Sequence, residues 1–266
     1  MGQRLVLTKP NTMLLAALKL QVAALVTVAG VNTDDISNKD VKGILETLDK
    51  DIKAVQAQGD KADPAAANKA LQGAFEAIQK LAAAENADKD ALYIMGLWAR
   101  GGLLSGASGQ QVLDFYERAA TAGQVNAKVD LAQIILQTFA QDPARIKQAG
   151  ALLEEAEKTG NNAARFILAN FKLNGQAGFA TDAEGAKKLL DAGSAAGDGA
   201  CTFGLYQLVG RGVSVADEKG EQKEIVKKDL PGAVKLLEQA VDQGHPAAMT
   251  EYASVLLAGN KDLGIT

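Results

Sequence analysis

Residues 112–123 read VLDFYERAATAG, residues 149–160 AGALLEEAEKTG, residues 185–197 GAKKLLDAGSAAG and residues 232–244 GAVKLLEQAVDQG. Each stretch carries a bulky pair: Phe115-Tyr116, Leu152-Leu153, Leu189-Leu190 or Leu236-Leu237. A small residue follows in the same slot (Ala119, Ala156, Gly193, Ala240), and then a glycine closes the stretch (Gly123, Gly160, Gly197, Gly244). The glycines are 37, 37 and 47 residues apart. A period in the thirties with small and bulky residues in fixed slots predicts stacked helix pairs. The glycine supplies the left-handed residue with which a helix commonly ends.

The segments between these stretches supply the other helix of each pair. Ala91, Ala127, Ala164, Gly199 and Ala248 open them, and Gly96, Ala132, Ala169, Gly204 and Ala253 follow five positions on. Small residues where helices cross let two backbones approach, while the bulky pair fills the space between layers. One such pair leaves an apolar face bare, so only stacking buries it. The predicted fold is all-α, an α-solenoid of antiparallel helix pairs.

Other segments frame this array. From Asn38 to Gln58 the stripe Val41, Ile44, Leu45, Leu48, Ile52 and Val55 predicts a helix. Ser37 and Asp40 resemble a capping box, and Gly59 marks a stop. Asp63-Pro64 starts a second helix with the stripe Leu71, Phe75, Ile78 and Leu81. These two form a hairpin over residues 34–90 that caps an array over residues 91–266. The long spacing comes from an insertion at about 213–229, whose charges from Asp217 to Asp229 predict a solvated loop. A projecting binding hairpin is the alternative. The Gly/Ser-rich turn over residues 101–109 is expected to be mobile.

Residues 1–33 read in two ways. Arg4 and Lys9 precede an apolar stretch from Met13 to Gly30, with small residues at its end, which is the plan of a secretory signal. Cleavage would follow Ala29 or Gly30. Lys19 splits the apolar stretch, and the alternative is a packed N-terminal helix in a cytoplasmic chain. The uncharged run from Leu20 to Thr33 is too short to span a bilayer. Export, to a periplasmic location, is the favoured reading.

The chain has 266 residues and a formal net charge of −4. Nucleic-acid binding is not expected, since no Lys/Arg cluster marks one face. One cysteine, Cys201, and one histidine, His245, can form neither an intrachain disulfide nor a zinc site of nitrogen and sulfur ligands. Gly210-Arg-Gly212 starts a phosphate-loop pattern but has Val215 in the third glycine's slot. No catalytic residue, metal or cofactor is expected.

Three segments carry a resemblance: ALYIMGLWARGG (residues 91–102) with VLDFYERAATAG, GACTFGLYQLVGRGV (residues 199–213), and the run GAVKLLEQAVDQGHPAAMTEYASVLLAG (residues 232–259). Together they resemble the Sel-one-like repeat family, a branch of the tetratricopeptide-like helical repeats. The resemblance implies a right-handed superhelix whose concave surface is lined by the first helices. It assigns that lining to positions three before, and one and four after, the small crossing residue. Carried over, the lining includes Tyr93, Leu97, Arg100, Gln133, Phe166, Asn170, Leu205 and Ser254. Cys201 and Leu208 would flank Leu205, and Leu257 would flank Ser254. Amides beside aromatics suit a protein or peptide partner. The implied function is a non-enzymatic adaptor. The alternatives are an envelope hydrolase or cell-wall-binding module, whose branch pins its repeats with cysteine pairs, and a structural subunit that assembles through an open end.

Overall fold

The structure, a computed structural model, describes residues 33–59, 63–104, 106–216 and 222–258. The expectations for residues 1–32 lie outside them. Two units are present, one up to Leu131 and one from Ala132.

The first unit opens with a 3-10 turn (Thr33–Asp35), then α1 (Lys39–Gln56), α2 (Pro64–Ala83), α3 (Lys89–Arg100), α4 (Gly109–Thr121) and the start of α5 (Val125–Thr138). Val41, Leu48 and Ile52 of α1 are buried, as are Leu71, Phe75 and Ile78 of α2. Trp98 lies 6.3 Å from Phe75 in the same core. Helix α3 packs against both α2 and α4, so every residue from Asp90 to Ala99 is buried.

The cap of α1 differs from expectation. Asn38, not Ser37, accepts from the N–H of Asp40 (2.8 Å) and Val41 (3.2 Å). Ser37 turns instead to Asp90, a carboxylate with no exposed surface. The Ser37 N–H and hydroxyl and the Asn38 N–H all donate to Asp90 Oδ2 at 2.8 Å. Gln124 Nε2 donates to its other oxygen at 3.4 Å. Bonds to a buried charge are stronger than a neutral local cap, so the serine is drawn away.

The second unit holds the rest of α5, then α6 (Pro143–Lys158), α7 (Asn162–Asn174), α8 (Ala183–Ala195), α9 (Gly199–Arg211), α10 (Leu230–Asp242) and α11 (Pro246–Ala258). Each helix from α6 to α11 packs on the next. Ala169, Ala186, Leu190, Cys201, Leu205, Leu208 and Val226 form one core cluster. Leu237, Ala240 and Ala248 form another. The bulky pairs behave alike: Tyr116, Leu153, Leu190 and Leu237 are fully buried, and their preceding neighbours are half-buried.

The insertion is not a solvated loop. It forms an antiparallel ribbon, β1 (Val213–Ala216) with β2 (Gln222–Val226), and has a bulge at Val213/Ser214. Val226 is buried in the α8–α9 core, and Ile225 and Val213 pack against that core. These β-branched residues favour extended backbone, and their burial pins the base of the insertion.

The joints from each second helix to the next first helix are all three residues long: 122–124, 159–161, 196–198 and 243–245. Each contains the expected glycine, with φ between +77° and +89°. The residue after it does two jobs. Its N–H donates to the carbonyl of the repeat's small residue: Gln124 to Ala119 (2.9 Å), Asn161 to Ala156 (3.3 Å), Asp198 to Gly193 (3.0 Å) and His245 to Ala240 (3.0 Å). Its side chain accepts from the N–H three residues on: Ala127 (3.0 Å), Ala164 (2.9 Å), Cys201 (2.8 Å) and Ala248 (3.3 Å). Two amides, a carboxylate and an imidazole thus each close one helix and cap the next. His245 also stacks on Phe203, 4.9 Å between ring centres.

This geometry corrects the register of the fourth repeat by two residues. The residue that opens α9 is Cys201, not Gly199, and the crossing position is Tyr206, not Gly204. Cys201 has no exposed surface, like Ala127, Ala164 and Ala248. The pattern was obscured because Cys201 stands where alanine is usual and Gly193 stands opposite. A methyl built on Gly193 would lie 2.6 Å from Cys201 Cβ and closer still to its sulfur. Bulk has moved from one helix to the other. One further small residue departs from plan: Ala253, in α11, is exposed.

Candidate protein-binding surfaces

The joints fix where each first helix begins, and hence which side chains share a face. In the first unit, Tyr93 and Leu97 of α3 are buried and Arg100 is exposed. The Tyr93 hydroxyl donates to Asp130 Oδ2 of α5 at 3.0 Å. Arg100 Nη1 lies 4.0 Å from Asp130 Oδ1. The rings of Tyr93 and Tyr116 meet edge-on at 6.0 Å. Burial holds the Asp130 carboxyl above the usual carboxylate range, opposed by the Tyr93 hydrogen bond and the Arg100 charge. Burial, followed by the charge of Asp130, pushes both tyrosines well above the ordinary phenol value. Both therefore stay protonated, and the cluster braces α3 to α5 with Arg100 at its rim. Asp130 escaped the sequence reading because its partner Tyr93 lies 37 positions away along the chain.

In the second unit, Gln133, Phe166 and Asn170 are half-buried. Asn170 Nδ2 donates to the Phe166 carbonyl of its own helix at 3.0 Å. Leu205, with Cys201 and Leu208, lies in the core and offers no surface. The register correction explains this, since the offsets counted from Gly204 point inward. Counted from Tyr206, they fall on half-buried Phe203 and exposed Gln207. The joint spacing of 37 residues was the signal that could have found these. Ser254 and Leu257 of α11 are exposed.

Cys201 is a packed thiol. Burial, then the nearby Asp198, pushes it up to about 12, which removes it from thiolate chemistry at neutral pH. Among the described residues no cluster of His, Cys, Asp and Glu is arranged to hold a metal ion. Among them, no helix is long and apolar enough to cross a membrane.

No family model and no curated protein matches the chain. Solved structures do. A Sel1 repeat protein from Oxalobacter formigenes aligns over 96% of this chain and 93% of its own, at 18% identity and a TM-score of 0.61. A protective antigen present in uropathogenic Escherichia coli strains, described as displaying an SLR fold, aligns over 80% of this chain at 18% identity and a TM-score of 0.56. The match spans 41% of that antigen's chain. The chain has the fold of the Sel1-like repeat proteins, a helical solenoid of antiparallel helix pairs.

Proposed function

We propose that the protein is a non-enzymatic scaffold that binds a protein or peptide through its first helices. The observation that carries this is the division of labour on those helices in the second unit. Ala164 and Ala169 of α7 have no exposed surface, while Phe166 and Asn170 of the same helix remain half-exposed. On α9, Cys201 is fully buried and Gln207 is exposed. One side of each helix is spent on the core, and the other presents rings and amides, the residue types that a peptide backbone and side chains can use.

Affinity capture with the wild type and a Gln133/Phe166/Asn170 triple alanine variant, checked for an intact melt, tests this reading. Partners lost from the variant alone support it. Partners retained equally by both remove the surface. Export is the accompanying proposal, resting on the composition of residues 1–30, and a cytoplasmic location is its rival.

A further inference from the structure

His245 is the chain's one histidine, and of the four joint residues it alone caps with an atom that takes up a proton near neutral pH. Its Nδ1 accepts from the Ala248 N–H at 3.3 Å, which closes the first turn of α11. Gln124 and Asn161 cap α5 and α7 with amide oxygens, and Asp198 caps α9 with a carboxylate. Amides do not titrate, and a carboxylate ordinarily changes charge near pH 4. An imidazole changes charge between about pH 5 and 8. To accept, Nδ1 must be bare, so the ring carries its proton on Nε2. A second proton turns Nδ1 into a donor that faces another donor, and it sets a positive charge at the positive end of a helix. The ring is half-buried, so solvent protons reach it.

We propose that His245 is a pH-sensitive latch, which holds the start of α11 on the array while neutral and releases it when protonated. The surroundings decide the sign. From α9 the ring meets Phe203, with Tyr206 5.5 Å beyond that ring. The charged side chains on the packed elements are Arg211 of α9, Lys235, Glu238 and Asp242 of α10, and Glu251 of α11, all exposed. The Tyr252 hydroxyl donates to Glu238 at 3.3 Å, and the Tyr206 hydroxyl to Glu251 at 3.2 Å. In the preceding joint, the Asp198 carboxylate is spent on the Cys201 N–H. Exposed carboxylates are screened by water and salt and add little to the binding of a proton. The cap acts directly on the helix end, and stacking on Phe203 is open to either form of the ring. Loss of the cap therefore decides the outcome. The first turn of α11 carries Ala248, which shares a core cluster with Leu237 and Ala240. Mild acid thus loosens the fourth joint while the other three keep their caps.

Amide hydrogen exchange on the full chain tests the latch, read as protection after correction for the intrinsic rate at each pH. Between about pH 7.5 and about pH 5, the Ala248 amide should lose about fivefold more protection than the Ala164 amide, since an N-cap ordinarily contributes about that factor. Ala164 is the internal control, because Asn161 caps it in the same unit. His245→Asn keeps an acceptor throughout that range and should abolish the difference. His245→Gln, which copies Gln124, is a second such variant, and the melt of each verifies its fold. The single histidine also gives one set of ring-nitrogen NMR signals, which should place the proton on Nε2 at the higher pH. Equal changes at Ala248 and Ala164 overturn the proposal. So does a proton on Nδ1 at the higher pH, or a difference that survives in the folded variants.

Discussion

Gly193→Ala should clash, and Cys201→Ala should relieve the part of the clash made by the sulfur. The methyl added at Gly193 would sit 2.6 Å from Cys201 Cβ and nearer to the sulfur, both fully buried between α8 and α9. Overpacking of this kind costs roughly 1–3 kcal/mol. It is offset in part by the gain of about 1 kcal/mol when alanine replaces glycine inside a helix. Cys201→Ala alone removes a buried sulfur and leaves a small void, a loss of about 1 kcal/mol by analogy with the loss of one buried methyl group. The double variant still holds two Cβ atoms 2.6 Å apart as the helices stand, so α8 and α9 must part slightly to reach the alanine–alanine pairing that the other joints carry at Ala119 and Ala127, Ala156 and Ala164, and Ala240 and Ala248, all with no exposed surface. The two changes should therefore couple by about 1–3 kcal/mol, with the double variant more stable than Gly193→Ala. Urea denaturation of the four proteins in the cycle measures this. Additive effects, with the double variant the least stable, would refute both the corrected register and the exchange of bulk between α8 and α9.

The Asp90 clasp gives a second test. Asp90→Ala strips three 2.8 Å bonds from Ser37 and Asn38 and leaves their N–H groups without an acceptor, a loss of roughly 2–4 kcal/mol. Hydrogen exchange should accelerate at those two amides, and unchanged protection would dismiss the clasp. Asp130 sets a pH dependence. Its folded pKa lies above the unfolded value, so ionisation disfavours the fold, and that penalty fades as pH falls through the raised pKa. Asp130→Asn, which can still accept from Tyr93, should match or exceed the wild type in urea stability at pH 7 and lose ground to it toward pH 4; a constant difference would contradict the assigned burial. Gly160→Ala forces a side chain to φ +89° and should lower stability by about 1 kcal/mol in the same assay. Intact mass of the mature protein from an exporting host should show loss of residues 1–29 or 1–30, and a full-length mass would favour the cytoplasmic reading.

Much of the fold was legible because its punctuation is local. The terminal glycines, the bulky pairs and Asp63-Pro64 each act within one helix end or one turn, and each falls where its chemistry requires. What was misread depended on distance. Ser37 looked like a cap because Asp90, which takes it, lies 53 positions away. Gly199 and Gly204 looked like opening and crossing residues because small side chains also occur where a neighbour presses in: a methyl on Gly204 would lie 3.0 Å from Leu190, and one on Gly199 3.0 Å from His245. The ribbon was hidden by its charges, although Val213, Ile225 and Val226 announce extended backbone with something to bury. Of the surface residues, Arg100, Gln133, Phe166, Asn170 and Ser254 remain at least partly accessible, while Leu205 followed the register error inward and Tyr93 was claimed by Asp130.

From α3 onward, all variation in connector length falls on one side of the repeats. The turns from first to second helix span residues 101–108, 139–142, 175–182 and 212–229, while the return joints never change. In a return joint a single residue serves two helix ends at once, so one added amino acid would part the donor from the acceptor and swing everything downstream. A graft of foreign sequence, or a natural expansion, therefore has a safe edge and a forbidden edge, and the β-ribbon marks the safe one.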